Sequence, residues 1–506
     1  MDDVNLARQA EAALDRHGDY DSLLFEGTWH SSGTQAERAA RFATGLTELG
    51  LRPGDRLLVL MANCPEVLVT YTAAWRAGAA VTPLIFLVSD HELRAALVDS
   101  GATGVITTAE FLPKVLGAVA GAPDVRFVVT AGGAEAAENA LVHDLATVEA
   151  ADPGSIVPRT GTDLAALLYT GGTTGRAKGV PLSHANLNWC GWSVNEVSAA
   201  AHLNTHLLPL PLAHAYGLLV LCAGMHRQER GQTVLMRWFD PAGWVQLAVE
   251  QKVQASALVP SMIQMLLTQP LEDADLSALT AVSSGASPLP AEVRVQFEAR
   301  VPGVTVYEGY GCTESATIIS ATPIGKRRPG SVGLPVPGCE VTIRDEKDQD
   351  VPPGTDGEIC VRSPGVMAGY WHTPDATTTV LSGGWLHTGD IGHADPDGYL
   401  YVVDRKKDLI LRGGFNVFPR DVEEVLLGHP DVIQAGVIGR PDPRTGEEVV
   451  AFVALRPEAT VTPEDLIAHA KQHLSAVKYP REVRIVPMVP LTSVGKLDRK
   501  RLREML

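Results

Sequence analysis

Tyr169-Thr170-Gly171-Gly172-Thr173-Thr174-Gly175-Arg176-Ala177-Lys178-Gly179 follows the apolar run Leu164-Ala165-Ala166-Leu167-Leu168, which reads as a buried strand. Between Thr170 and Lys178 stand three threonine hydroxyls, three glycines and two cations. Glycines let backbone N–H groups approach an anion, and hydroxyls and cations complete the cradle. The stretch predicts a polyphosphate-holding loop at the end of a strand. It is not the mononucleotide P-loop, which needs Gly, four residues, then Gly-Lys-Ser/Thr. Here Ala177 precedes Lys178 and Gly179 follows it. A short Gly/Thr run taken alone is as often a plain surface turn.

Outward from this loop, residues 38–130 alternate helical and strand patterns. Ala39 to Leu49 reads as an amphipathic helix, Arg56 to Met61 as a buried strand, Glu66 to Arg76 as a helix, and Ala80 to Leu84 as a strand. The helix pattern from Glu92 to Val98 and the strands near Gly104 and Arg126 continue the alternation. Strands separated by helices predict an α/β fold with doubly wound, mostly parallel sheets. The loop is expected to open another such unit, with more following at Ala255, Ala281 and Val304. From Gly330 the texture changes to short strands with Pro/Gly turns, read as a small β-barrel over about 330–404. A large N-terminal unit, 1–404, is expected to meet a small, mobile C-terminal α+β domain, 409–506, through the charged hinge 405–408.

The 506 residues are 45% hydrophobic, enough for a sizeable core. A formal net charge of -17 argues against nucleic-acid binding and against an anionic membrane surface as partner. The six cysteines show no metal-ligand spacing and fit a reducing cytoplasm better than a disulfide framework. The start, Met-Asp-Asp-Val-Asn, lacks the apolar run of a secretory signal, so none is expected. Gly217 to Met225, the most apolar stretch, is too short to span a bilayer, so no membrane segment is expected.

Five further segments carry chemistry-bearing residues. Tyr307-Glu308-Gly309-Tyr310-Gly311-Cys312-Thr313-Glu314 follows an apolar strand. In it Tyr310 offers a face to a planar ring, Thr313 a donor to a phosphate, and Glu314 a carboxylate for Mg²⁺ between phosphates. In isolation these would read as a buried tyrosine and a solvated glutamate. The others are Ser283-Ser284-Gly285-Ala286-Ser287-Pro288-Leu289, Trp385-Leu386-His387-Thr388-Gly389-Asp390, Asp404-Arg405-Lys406-Lys407-Asp408 and Leu491-Thr492-Ser493-Val494-Gly495-Lys496. Taken singly, the last two would read as a solvated charge cluster and one surface lysine among many. With the loop, these six ordered segments resemble the signature of the adenylate-forming superfamily of acyl-CoA synthetases, adenylation enzymes and luciferases. The chain is most similar to a bacterial acyl-CoA ligase, over about residue 30 to the C-terminus. Gly171 stands where Ser is usual, which removes a hydroxyl but keeps the backbone donors. Ser287 interrupts the usual Ala-Pro-Leu of the adenine wall.

The resemblance implies ATP, Mg²⁺ and CoA as cofactor and co-substrates. It implies a nucleotide site of Thr170, Gly171, Gly172, Thr173, Thr174, Gly175, Lys178, Gly285, Ala286, Tyr310, Gly311, Thr313, Asp390, Arg405 and Lys496, with Glu314 on the metal. Lys496, Thr313 and His214 are the catalytic candidates. Lys407 is the residue about which the small domain turns, and Gly413, Gly414 and Phe415 line the CoA channel. Leu210-Pro211-Leu212-Ala213-His214-Ala215-Tyr216-Gly217 resembles the segment that gates the acid. His214, Tyr216, Met262, Gly285, Cys312 and Ala316 are the expected acyl-pocket lining; the bland reading of His214 is a core histidine. No acidic residue in 210–220 could pair an α-ammonium, which disfavours an amino acid and leaves an aliphatic or aryl monocarboxylate. The implied activity is ATP-dependent acid–CoA ligation through an acyl-adenylate. A stand-alone adenylation enzyme loading an acyl carrier protein shares every motif, and a non-catalytic nucleotide-binding scaffold is the rival of another class. A second copy of the chain is a further candidate partner.

Overall fold

The computed structural model describes residues 4–133, 140–170, 177–198, 202–492 and 496–506. Four sheets organise it. The first has seven strands in the order Val142–Asp144, Phe127–Ala131, Gly104–Thr108, Arg56–Leu60, Ala80–Pro83, Leu164–Thr170, Lys178–Ser183. All its pairings are parallel except the last, which is antiparallel. Its central strands are apolar runs with both faces covered, as parallel sheets require.

The second sheet has nine strands: Leu334–Pro335, Ser320–Ala321, Thr305–Tyr310, Ala281–Ser284, Ala255–Leu258, Thr205–Leu208, Gln232–Leu235, Asp21–Phe25, Thr28–Ser31. Its six middle strands, from Thr305–Tyr310 to Asp21–Phe25, run parallel. The chain start thus crosses over to complete this sheet, a placement its two short strands do not announce.

Alternating side chains send Leu23, Leu208 and Leu235 to one face of the second sheet, and Leu24, Leu207 and Val234 to the other. The first face shares one buried cluster with Leu57 and Val59 of the first sheet. Helices Ser32–Glu48, Pro65–Arg76, His184–Val197 and Ala215–Gly224 contribute to the same cluster. Both sheets therefore rest on one shared core of helices.

The third sheet is antiparallel: Glu340–Arg344, Gly357–Arg362 and Trp385–Ala394 in order, with Leu381–Ser382 and Leu400–Arg405 both paired to Trp385–Ala394. Among the described residues no pairing joins Glu340–Arg344 to Leu400–Arg405. The strands expected to close as a barrel form an open sheet around Ile343, Ile359, Val361 and Leu400. The fourth sheet holds Phe415–Val417, Ile410–Arg412, Gly446–Leu455 and Val432–Asp442, with Glu482–Ile485 parallel to Gly446–Leu455. Helices Pro419–Leu427 and Pro463–His473 cover it through Val422, Leu426, Leu466 and Ala470. The fold is thus mixed α/β with parallel sheets and a separate, largely antiparallel C-terminal unit. No helix among the described residues is long and apolar enough to cross a membrane.

The strands on either side of residues 171–176 pair antiparallel, with Thr170 opposite Lys178 in register. The helix comes only after the second of them, capped by Ser183, whose side chain accepts from Asn186 N.

Candidate functional site

The carboxyl ends of Ala281–Ser284 and Thr305–Tyr310 lie side by side in the second sheet, where open α/β sheets place ligands. Just beyond them Gly285 leaves space. A Cβ there would sit 3.5 Å from Gly309 O and 3.5 Å from Tyr216 Cε1. Ala286 follows in the left-handed region, φ 71°. Gly311 is required sterically, because a Cβ would lie 2.0 Å from Thr317 O. The turn Thr313–Ser315 is tied by Ser315 Oγ accepting from Cys312 N at 3.3 Å. Ala316 and Thr317 then adopt φ 50° and 87°, strained values for residues with a Cβ. Thr317 Oγ1 donates to Ala215 O at 3.3 Å, and Cys190 Sγ to Ala316 O at 2.6 Å.

Across from Tyr310, the third sheet sets Asp390 and Arg405 opposite each other in register. Arg405 Nε meets Asp390 Oδ1 at 3.2 Å, and Tyr310 Oη donates to Asp390 Oδ2 at 2.8 Å. Asp390 is only 5% exposed. Burial pushes its carboxyl up and the Arg405 charge opposes it. A carboxylate held on both oxygens has its plane fixed, as recognition of a vicinal diol demands.

Glu314 leads to a residue that sequence reasoning passed over. Tyr370 Oη donates to Glu314 Oε1 at 2.7 Å, and Lys178 Nζ lies 4.8 Å from the centre of the Tyr370 ring. Trp371 N donates to Gly179 O at 2.8 Å and Met367 N to Glu314 O at 2.9 Å. The segment 367–371 therefore ties the end of the phosphate-loop hairpin to the Glu314 turn. The available signal was the aromatic pair after Gly369. Among the described residues no group of three His, Cys, Asp or Glu could hold a metal. Gly171, Gly172, Thr173, Thr174 and Gly175 lie outside the described residues, as do Ser493 to Gly495.

Lys496 comes from the far end of the chain. Thr492 N donates to Lys496 O at 2.7 Å, and Leu491 bridges Leu497. Its amine feels Arg405, Asp390, Cys312 and Glu314, and lines the same cavity as Tyr310, Thr313 and His214. Burial first, then the Arg405 charge, pushes it down to about 8. His214 caps helix Ala215–Gly224, its Nδ1 accepting from Tyr216 N at 3.2 Å. Burial and the Lys496 charge push it down to about 3, so the ring is neutral at working pH. Tyr216 Oη donates to Ser283 O at 3.1 Å, closing the wall next to Gly285.

The cavity, about 480 Å³, is lined by His214, Tyr216, Gly285 and Cys312 but not by Met262 or Ala316. Ala316 is fully buried beneath the Cys190 thiol, and Met262 packs between the two cores of the second sheet. Lys407 sits in the turn Lys406–Asp408 that joins the third sheet to the fourth. On one side Lys406 Nζ pairs Glu358 Oε2 at 3.1 Å; on the other Asp408 Oδ1 pairs Arg503 Nη2 at 3.0 Å. Gly413 and Gly414, φ 60° and 82°, turn the hairpin that carries Phe415. Phe415 is 58% exposed and away from the Lys496 cavity.

Compared with known proteins, residues 10–371 match the AMP-binding enzyme family and residues 421–496 the AMP-binding enzyme C-terminal domain. The chain is 36% identical to a feruloyl-CoA synthase of an Amycolatopsis species, over 99% of this chain and 97% of that one. It is 33% identical to a long-chain-fatty-acid–CoA ligase of Bacillus subtilis (strain 168), over 97% and 92%. Among solved structures, the anthranilate CoA ligase AuaEII in complex with anthranoyl-AMP superposes with a TM-score of 0.91 at 26% identity, covering 99% of this chain and 97% of that chain.

Proposed function

Because the chain belongs to the AMP-binding enzyme family, we propose that it is an ATP-dependent carboxylic acid–CoA ligase working through an acyl-adenylate. The observation that carries this reading is the convergence of Asp390, Arg405, Tyr310 and Lys496, of which Tyr310 and Lys496 line the cavity, with Glu314 and Tyr370 hydrogen-bonded to each other.

Attack of a carboxylate on the α-phosphate of ATP brings anion towards anion, so positioning and charge neutralisation supply most of the catalysis. A bond forms from the acid's oxygen to the α-phosphorus, and the bond to the bridging oxygen of pyrophosphate breaks. Asp390, fixed by Arg405 and Tyr310, accepts from the ribose hydroxyls. Gly285, Ala286 and the Tyr310 ring flank the base. Thr170, the loop residues 171–175 and Lys178 hold the β- and γ-phosphates, and Lys496 and Thr313 meet the α-phosphate. Glu314 has one oxygen engaged by Tyr370, and no protein donor to the other among the described residues. That fits Mg²⁺ held mostly by substrate phosphates, where it would neutralise the charge of the leaving pyrophosphate. Burial and the Lys496 charge favour neutral His214. It caps its helix and borders the path of the acid.

In the second step the CoA sulfur attacks the acyl carbonyl, the carbonyl–oxygen bond to AMP breaks, and AMP leaves. Lys496 lines the cavity, while Phe415 of the Gly413–Phe415 hairpin is exposed and outside it. We assign the turn 405–408, with Lys407 at its centre, as the hinge between 1–404 and 409–506. Relatives named for CoA do not favour a carrier protein as the thiol acceptor. All six cysteines are free thiols, which supports a cytoplasmic setting.

The test is acid-dependent ATP–pyrophosphate exchange, followed by acyl-CoA formation with release of AMP. Exchange with several monocarboxylates and thioester formation with free CoA are expected. Absence of exchange across a broad acid panel would leave only the scaffold reading.

A further inference from the structure

Resting on the ligase reading above, we infer that the activated acid is a long aliphatic one, of a dozen or more carbons. Its chain would lie across the second sheet towards the N-terminal helix Leu6–His17.

The cavity that holds Lys496 and Tyr216 does not end behind the adenylate. It touches every one of six neighbouring parallel strands in turn, through Glu308, Ser283, Ala257, Leu208, Leu235 and Leu23. Strands stand about 4.8 Å apart, so the four gaps from Ser283 to Leu23 span roughly 19 Å. An extended chain advances about 3.5 Å for every three backbone atoms, so about sixteen chain atoms fill that distance.

The opposite wall is helix Ala215–Gly224, whose residues Leu219, Val220 and Ala223 face the same cavity. Ala10 of the N-terminal helix, Leu68 and Val194 complete the sides. This middle stretch is lined mostly by aliphatic and small side chains, with Thr72, His206 and Thr233 among them. A single aromatic ring would occupy only the part near Tyr216 and leave apolar volume beyond Leu208 unfilled. At the far end the lining turns polar, with Glu11, His17, Tyr20 and Arg227, where Glu11 pairs Arg76 and His17 meets Arg227 O at 3.1 Å. A polar end of this kind lets a longer tail emerge into water instead of capping it.

The experiment compares kcat/KM for CoA-thioester formation across straight-chain acids from butanoate to octadecanoate, with benzoate and ferulate alongside. On the wild-type enzyme kcat/KM should rise by up to about fourfold per added methylene, the value of burying one CH₂. It should level off beyond about sixteen carbons. Ala223→Phe and Ala10→Phe place a ring in the channel from opposite walls. Either should lower kcat/KM for hexadecanoate relative to hexanoate tenfold or more, with circular dichroism checking that each variant folds. A flat chain-length profile, or an aryl acid outrunning every acid of twelve carbons or more, overturns the inference and leaves the ligase intact. No exchange with any acid removes the ligase reading and this inference with it.

Discussion

Lys496 keeps its amine where burial and the Arg405 guanidinium disfavour the charged form, pushed down to about 8. Only the protonated amine can neutralise phosphate, so kcat/KM for adenylation should fall as pH rises through about 8. Bound ATP favours the ammonium, so the fall in kcat should come at higher pH. The stability sign runs the other way. Above about 8 and below the ordinary lysine value the unfolded chain holds the extra proton, so this group adds stability as pH rises there. Lys496→Ala should cut ATP–pyrophosphate exchange by roughly 10²–10³-fold, the scale of one lost charge-stabilising group. It should spare acyl transfer to CoA from supplied acyl-adenylate, and loss of both steps would remove Lys496 from its assigned role. Tyr370 gives a second test. Tyr370→Phe deletes the bond to Glu314 Oε1 and should raise the Mg²⁺ concentration for half-maximal exchange about tenfold, near 1.4 kcal/mol for a hydrogen bond to a charged group. An unchanged Mg²⁺ titration would separate Glu314 from the metal.

The turn Thr313–Ser315 and the strand before it show what an element adds to its residues. Gly311 lets the chain pass against Thr317 O, and the strained Ala316 and Thr317 are held by bonds from Cys190 and Thr317 to distant carbonyls. Gly311→Ala sets a methyl against backbone, which has no rotamer to escape into. We expect a loss of about 2–3 kcal/mol, read by thermal unfolding, and an ATP KM raised tenfold or more. A variant with wild-type stability would mean that the turn can relax. Tyr310, Asp390, Arg405 and Lys496 could be picked from the sequence because each sits in a short local context of glycines and charges. The parallel strands were visible as apolar runs. Tyr370 is marked in the sequence only by the aromatic pair after Gly369, and its meaning arises only when Trp371 pairs with Gly179. The N-terminal hairpin Asp21–Ser31 was equally hidden, because its partner strand Gln232–Leu235 lies about two hundred residues away. Met262 and Ala316 stand outside the cavity lining, because spacing along the chain does not say which side of a sheet core a residue meets.

On the ligase reading proposed above, one small C-terminal unit serves both steps. Lys496 is turned into the cavity, while the Gly413–Phe415 hairpin stands outside it. Asp408 is bonded to Arg503 and lies 4.0 Å from Arg499, and Arg499 pairs Glu423 at 2.7 Å. This chain of ion pairs binds the end of the turn Lys406–Asp408 to the helix Arg499–Glu504 that follows Lys496. Lys406, by contrast, is anchored to Glu358 of the third sheet. The hinge proposed above is the turn Lys406–Asp408, with Lys407 at its centre. Lys407→Pro fixes one of the two soft dihedrals there. Pyrophosphate exchange should persist at a measurable level, because the lysine is already in place. Thioester formation from supplied acyl-adenylate should fall by about 100-fold or more relative to exchange, since the hairpin cannot be brought to the carbonyl. This is the mirror of Lys496→Ala, which should remove the first step and keep the second. Combined in one chain, the two substitutions should abolish both steps. If Lys407→Pro lowers exchange and transfer by the same factor, the turning point lies elsewhere and the ion-pair chain is only a brace.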